Sequence, residues 1–177
     1  MTVQEIINQA IVHIRMSIDS VYGRTHINEA MHELAMKYDT ACVKTTTTIS
    51  CTDSDAYYSM PSDCLKVIRV YDSDGDEYDK TLYRFEQFQI KLDDEDTYTV
   101  HYLTTPDSVA DNTETPDVNS AYHRPIALFV ASKELEDIKP DKSSILLSKF
   151  YAQVDDVNSK LMNPKKRLAK TPIPGFR

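Results

Sequence analysis

The spacing of apolar residues changes twice along this chain, and this constrains its fold more than any other feature. Near the N-terminus, apolar residues such as Val3, Ile6 and Ile7 recur at three- and four-residue steps, which places them on one face of a helix. From about Ala41 the spacing becomes two, in sequence rich in Thr, Val, Ile and Tyr, as is typical of strands. Helical spacing returns at about Ala121. The sequence therefore predicts helices at both ends and a sheet between them.

The N-terminal helical region predicts two short helices. The sequence Tyr-Gly-Arg at 22–24 is expected to end the first, and Thr25 to cap a second that continues to Tyr38. Each has a single apolar stripe, so other helices must cover both stripes.

Two further helices are predicted near the C-terminus. The third covers about 121–138, with Pro125 in its first turn because a proline further inside would cost a hydrogen bond. Pro140 is expected to end it, Asp141 to cap the fourth, and Pro164 to stop the fourth.

Four segments between the helices have strand periodicity: 43–52, 64–71, 78–85 and 97–103. The acidic segment 72–76 has the composition of a hairpin turn, with Gly75 free to adopt positive φ. The predicted fold is α+β: a four-helix bundle with a small antiparallel β insertion between helices 2 and 3 and an extended C-terminal arm. The predicted boundaries are 1–40 for the helical hairpin, 41–103 for the β insertion, 104–163 for an acidic loop and the closing helices, and 164–177 for the arm.

Charge is unevenly distributed along the chain. The net charge is −8, from 20 basic and 28 acidic residues, which argues against a general nucleic-acid-binding protein. The segment 165–177 nevertheless has basic residues, prolines and Phe176 but no acidic residue. Such a segment predicts an extended arm that binds another protein. Its candidate partner-binding residues are Lys165, Lys166, Arg167, Lys170, Ile173, Pro174, Phe176 and Arg177.

The sequence has no motif for catalysis, a cofactor or a metal. Cys42, Cys51 and Cys64 lack Cys-x-x-Cys spacing and are expected to be free thiols in a reducing compartment. Counted from Asp72 as a calcium loop, glycine falls at the fourth position and Tyr83 at the twelfth, so a solvated turn is favoured over a calcium site. Weak cation binding at this turn stays open. The five histidines lack a shared ligand spacing: His13, His26, His32, His101 and His123.

Most of the tyrosines lie in the predicted β insertion. Tyrosine combines a large contact area with a polar tip and is enriched where proteins meet. An ordinary half-buried sheet explains the same pattern equally well. The candidate protein-contact residues are Tyr57, Tyr58, Tyr78 and Tyr83. No apolar run reaches membrane-spanning length and no signal sequence is present, so the chain is expected to fold in a cytoplasm.

Several segments resemble the head–tail adaptors of tailed bacteriophages, in the same order. INEA at 27–30, leading to AMKY at 35–38, is similar to their second helix. MPSDCLKVIRV at 60–70 resembles their turn from apolar-Pro-x-Asp-apolar sequence into a strand. YTVHY at 98–102, with the later prolines and Tyr122-His123, is similar to their last strand, acidic loop and third helix. Pro125 and the threonine run 45–48 depart from the family pattern.

The resemblance implies a structural, non-enzymatic virion protein in the phage neck, assembled in the bacterial host cytoplasm. It implies a dodecameric ring under the portal that extends the DNA channel and provides a tail-docking surface. The implied partners are other copies of the chain, the portal protein, and a tail or tail-completion protein. Under this resemblance the candidate residues in 165–177 are expected to form a portal-binding arm, and the four candidate tyrosines are expected to be inter-subunit or tail-facing. DNA would pass through without specific binding, and no membrane is involved. The alternatives are a head- or tail-completion protein at another level of the neck, a small cellular binding module, or a small metal-dependent regulator or enzyme.

Overall fold

The computed structural model describes residues 1–163, and this part of the chain forms four helices and six strands. The helices are α1 (Val3–Ile14), α2 (Ser20–Lys37), α3 (His123–Leu135) and α4 (Pro140–Met162). The strands are β1 (Val43–Ser50), β2 (Tyr57–Ser59), β3 (Cys64–Tyr71), β4 (Tyr83–Glu86), β5 (Gln89–Leu92) and β6 (Thr97–Thr104). The predicted arm and its eight candidate contacts lie outside the described residues.

The break between α1 and α2 lies earlier than the sequence indicated. The hydroxyl oxygen of Thr2 accepts the N–H of Glu5, and the Glu5 carboxylate accepts the N–H of Thr2, so a capping box begins α1. Arg15 then adopts the left-handed conformation, with φ of 58°, and ends α1. The carboxylate of Asp19 accepts the N–H of Val21 at 2.8 Å, at the start of α2.

The expected helix break at 22–24 and the expected cap at Thr25 are therefore wrong. Gly23 lies within α2, and the hydroxyl of Thr25 donates to the carbonyl of Val21 at 3.0 Å, one turn earlier in the same helix. Glycine is tolerated here because the helix comes very close to Ile7 of α1 at this point.

Residues 1–30 and 109–163 belong to one compact unit, called here the helical unit. α3 is its central helix, with nearly all of its side chains buried, and it packs against both α1 and α4. Phe129 of α3 and Phe150 of α4 meet edge to face, with ring centroids 5.1 Å apart. Pro125 lies in the first turn of α3 as predicted, whereas Pro140 begins α4 and Asp141 lies in its first turn instead of capping it. None of the helices in residues 1–163 is long and apolar enough to cross a membrane.

Residues 31–108 form a second compact unit, called here the β unit. It contains two antiparallel three-stranded sheets, with strand orders β1-β6-β3 and β2-β5-β4. The two sheets contribute buried side chains to a single core, which contains Ile49, Cys51, Met60, Cys64, Val70, Ile90, Leu92, Tyr98, Val100 and Tyr102.

The expected four-helix bundle with a small β insertion is therefore wrong. The protein is α+β with four helices in the described residues, but its β region is a compact unit with its own core and two sheets. The sequence underestimated this region because β2 and β5 are only three and four residues long. Segments this short show too few alternations for period two to be recognised.

Candidate interaction surfaces

Tyr57 is the most exposed of the four candidate tyrosines. Its side chain is 48% exposed on β2, where the residue pairs with Lys91 of β5. The Lys91 ammonium contacts the carboxylate of Asp55 at 3.2 Å. Tyr57 therefore offers an aromatic ring on the solvent-facing side of its sheet, next to a charged pair.

The other three candidate tyrosines pack against the core of the β unit. The hydroxyl oxygen of Tyr58 accepts the N–H groups of Thr52 and Asp53, at 2.8 and 2.9 Å, and so fixes the loop after β1. Tyr83 is half-buried, and burial raises the pKa of its hydroxyl.

Both the ring and the hydroxyl of Tyr78 make contacts within the β unit. Its ring meets that of Tyr98 edge to face at 4.9 Å, and its hydroxyl donates to the Asp94 carboxylate at 2.8 Å. Burial, followed by the hydrogen bond to Asp94, raises the pKa of the Tyr78 hydroxyl. The inter-subunit or tail-facing role of the four tyrosines stays a prediction, and Tyr57 is the most exposed of the four.

The tip of the β4–β5 hairpin presents an aromatic residue that sequence reasoning missed. Glu86 pairs with Gln89, which leaves a two-residue turn of Gln87 and Phe88 with φ of 49° and 61°. Both residues have left-handed backbone conformation, which Asn and Gly adopt readily at such turns and which a bulky residue adopts only at a cost. Phe88 is nevertheless 52% exposed, while its carbonyl accepts the N–H of Met60 at 2.8 Å. Strain at an exposed aromatic residue is typical of a functional position.

The helical unit has an open groove with an apolar floor. It has a volume of about 360 Å³ and is lined by Gln9, Val12, His13, Arg124, Leu128 and Gln153. Val12 is 73% exposed at the groove, and the Lys142 ammonium donates to the carbonyl of His13 at 3.1 Å. The groove thus combines apolar surface from Val12 and Leu128 with the positive charge of Arg124.

The acidic turn after β3 uses its carboxylates to hold its own backbone. The carboxylate of Asp72 accepts the N–H groups of Asp74 and Asp76, at 3.1 and 2.9 Å, and Gly75 has φ of 86°. Asp96 accepts both the N–H and the hydroxyl of Ser73. These contacts are those of an Asx-type turn. Within residues 1–163, no group of three or more His, Cys, Asp or Glu side chains is placed to hold a metal ion.

The three cysteines are free thiols. Burial, with a smaller contribution from Asp63, raises the pKa of the Cys64 thiol to about 11. Burial also raises the pKa of Cys42, whose thiol donates to the carbonyl of Ala35 at 3.2 Å. Raised thiol pKa values are the opposite of what a nucleophilic cysteine requires.

Val12, Tyr57 and Phe88 place large exposed side chains on the described surface, which suits contact with other proteins. A search of the curated proteins found no match to the chain. A family model described as SU10 adaptor protein matches residues 1–169. That span covers both compact units and nearly the whole chain. The family consists of structural phage proteins, and the chain is accordingly a phage structural adaptor and a virion component that belongs to the SU10 adaptor protein family.

Proposed function

We propose that this chain is a head–tail connector adaptor, which forms a ring under the portal, extends the DNA channel and provides the surface on which the tail docks. The observation that carries the proposal is the match to the SU10 adaptor family over residues 1–169. The proposed ring is a dodecamer in the phage neck, assembled in the host cytoplasm before DNA ejection.

The presence of exposed apolar side chains on both units supports a bridging role. Val12 of the helical unit and Phe88 of the β unit are 73% and 52% exposed. A protein that joins two neighbours needs at least two contact surfaces, and large exposed apolar side chains are frequent anchors of such surfaces. Each unit therefore has a possible anchor of its own.

The C-terminal segment is proposed to bind the portal. Residues 165–177 include five basic side chains and no acidic one, on a chain whose net charge is −8. Positive charge accelerates the encounter with an anionic partner, and Phe176 can fill an apolar pocket. The prolines restrict the unbound segment and so reduce the entropy lost on binding.

The acidic character of the chain is compatible with DNA passage through a ring. A net charge of −8 disfavours tight association with phosphates. DNA is therefore proposed to pass through without specific binding. A tail or tail-completion protein is the proposed partner on the opposite side of the ring from the portal.

The test is reconstitution with the portal protein of the same virion, followed by electron microscopy. Full-length chain should add a ring beneath the portal, whereas a chain ending at residue 163 should bind at least about tenfold more weakly, which corresponds to about 1.4 kcal/mol. The triple variant Lys165→Gln, Lys166→Gln, Arg167→Gln should weaken binding most at low salt, and Phe176→Ala should weaken it at any salt.

Two results would count against the proposal. Equal occupancy by the truncated chain would show that the arm is not the portal anchor. Density at another level of the neck would instead assign the chain as a head- or tail-completion protein.

A further inference from the structure

β1 is an edge strand whose outward-facing backbone groups can be identified from its register. Its eight residues pair one to one with β6, without a register shift. In the next pair of this register, the N–H of Cys51 donates to the carbonyl of Asp96 at 2.7 Å. Hydrogen-bonded and non-hydrogen-bonded pairs alternate in an antiparallel ladder, so the odd-numbered residues of β1 bond to β6. The N–H and C=O groups that point away from β6 therefore belong to Lys44, Thr46, Thr48 and Ser50.

This edge is open in the described part of the chain. β1 is the terminal strand of its sheet, no strand within residues 1–163 pairs with its outer side, and its four even-numbered residues are exposed. Unpaired backbone donors and acceptors along a regular edge form a template for strand addition.

The other edges of the two sheets are protected. β3, the opposite edge of the same sheet, has two register shifts against β6. At its C-terminal end, Tyr71 bridges to Glu77, and the N–H of Tyr78 donates to the carbonyl of Val70 at 2.8 Å. The edge strands β2 and β4 are only three and four residues long. Bulges, covering segments and short edges all discourage edge-to-edge pairing. β1 is eight residues long, pairs without a register shift, and has no strand of residues 1–163 on its outer side.

We infer that β1 pairs with β1 of a second copy of this chain, antiparallel and around a two-fold axis at Thr47. In this register Thr46 lies opposite Thr48 of the second copy, and Lys44 lies opposite Ser50. All four residues are even-numbered, so their outward backbone groups meet, and each facing pair exchanges two hydrogen bonds. The pairing joins the two three-stranded sheets into one continuous sheet.

The side chains of β1 favour this occupant. Threonine pairs across strands are stabilising, and the register keeps the two Lys44 ammonium groups apart. Between residues 43 and 50 there is one lysine and no acidic residue, so this strand adds no carboxylate repulsion between two copies with a net charge of −8. The inward-facing Val43, Thr45 and Thr47 are only half-buried in one copy, and a second strand beside them would cover them further.

The β1-paired dimer is inferred for the free protein, before it binds a portal, and is therefore separate from the proposed ring. A two-fold contact covers the open edge of both copies and leaves none for further growth, whereas a ring needs head-to-tail contacts on other surfaces. If the β1 dimer is not found, the proposal of portal docking is unaffected. If portal docking fails, the β1 dimer is likewise unaffected.

The first test is the association constant of the full chain, measured by sedimentation over a concentration series. Thr46→Pro removes an N–H that points away from β6, so it blocks the edge without removing a bond of the β1–β6 ladder. We expect dimers for the wild type and for Thr46→Val, and at least about tenfold weaker dimerisation for Thr46→Pro. If Thr46→Pro fails to fold, the double variant Thr46→Lys, Thr48→Lys replaces it, because it places lysines opposite each other across the axis.

The second test concerns the register. Thr47→Cys places two thiols on the two-fold axis in a non-hydrogen-bonded pair, where Cα atoms lie about 4.5 Å apart, within the range for a disulfide. Mild oxidation should cross-link this variant, and neither Thr45→Cys nor the wild type should cross-link. A wild-type chain that stays monomeric at all concentrations would overturn the inference. So would a dimer that is unchanged by Thr46→Pro or by the double lysine variant, or cross-linking that is equal at positions 45 and 47.

Discussion

Gly23 of α2 lies so close to Ile7 of α1 that a methyl group at position 23 would come within 2.8 Å of the Ile7 Cδ1 atom and 2.9 Å of its Cγ1 atom. Ile7 is 1% exposed, so its side chain cannot move aside without disturbing the core of the helical unit. Glycine at this position therefore permits close packing of the two helices, although it costs helix propensity.

Gly23→Ala should lower stability despite the better helix propensity of alanine. The propensity gain is about 1 kcal/mol, and overpacking a buried contact costs about 1–3 kcal/mol, so we expect a net loss of up to about 2 kcal/mol. Urea unfolding followed by circular dichroism measures the difference. Thr25→Ala, at an exposed position in the same helix, is the matched control and should be neutral or slightly stabilising. A higher Tm for Gly23→Ala would contradict the close contact.

Relieving the strained β4–β5 turn should stabilise the β unit. Left-handed conformation costs a non-glycine residue about 1–2 kcal/mol, so Gln87→Asn with Phe88→Gly should raise the free energy of unfolding by about 1–2 kcal/mol. Phe88→Ala is the control, because it removes the ring but keeps a non-glycine residue at positive φ. If Phe88 contacts a partner, both variants should weaken that contact, whereas only the first should gain stability. Equal stability of the two variants would argue against strain at this turn.

His123 should make stability depend on pH. It is 1% exposed in α3, and burial lowers its pKa below the usual value of 6.5. The unfolded chain therefore takes up a proton at this histidine as pH falls through 6.5, while the folded chain does not. The contribution of His123 to the free energy of unfolding is present above pH 6.5 and is lost below it. The loss is at most about 1.4 kcal/mol per pH unit. Denaturant titrations between pH 8 and pH 5 should show a smaller slope for His123→Gln than for the wild type. His32→Gln, at an exposed position in α2, controls for the loss of an imidazole, and identical slopes for wild type and His123→Gln would refute the assignment.

The acidic turn should depend on Asp72 far more than on its neighbours. Asp72→Ala removes the acceptor of two backbone hydrogen bonds and should cost about 1 kcal/mol, while Asp72→Asn keeps an acceptor oxygen and should cost less. Thermal unfolding of a variant with Asn at positions 72, 74 and 76 should give nearly the same Tm with and without calcium. A calcium-dependent rise in the wild-type Tm that disappears in this variant would instead indicate an ion site.

Long elements with clear periodicity could be predicted from the sequence. The predicted strand 64–71 is confirmed at the same bounds, and the predicted strands 43–52 and 97–103 match β1 and β6 to within two residues at each end. Each of these strands has eight residues, of which at least half are β-branched or aromatic, and this is long enough for local preference and packing to agree.

The missed features depend on tertiary contacts. The turn at Gln87 and Phe88 has neither glycine nor asparagine, so no local signal marked the hairpin formed by β4 and β5. Gly23 looks like a helix end in the sequence, because Ile7, the contact that requires glycine there, is sixteen positions away. The open edge of β1 follows from the strand order, which a single sequence does not contain.

The arrangement of the two units along the chain has a consequence for synthesis. The β unit is one continuous stretch, residues 31–108, whereas the helical unit needs residues 1–30 together with segments made later. α1 emerges from the ribosome before the β unit, whereas α3, against which α1 packs, emerges after it. The two sheets can therefore close while the stripe of α1 still lacks its partner, since domains fold as units during translation. A nascent chain stalled shortly after residue 108 would expose that stripe, and chaperones are expected to bind there.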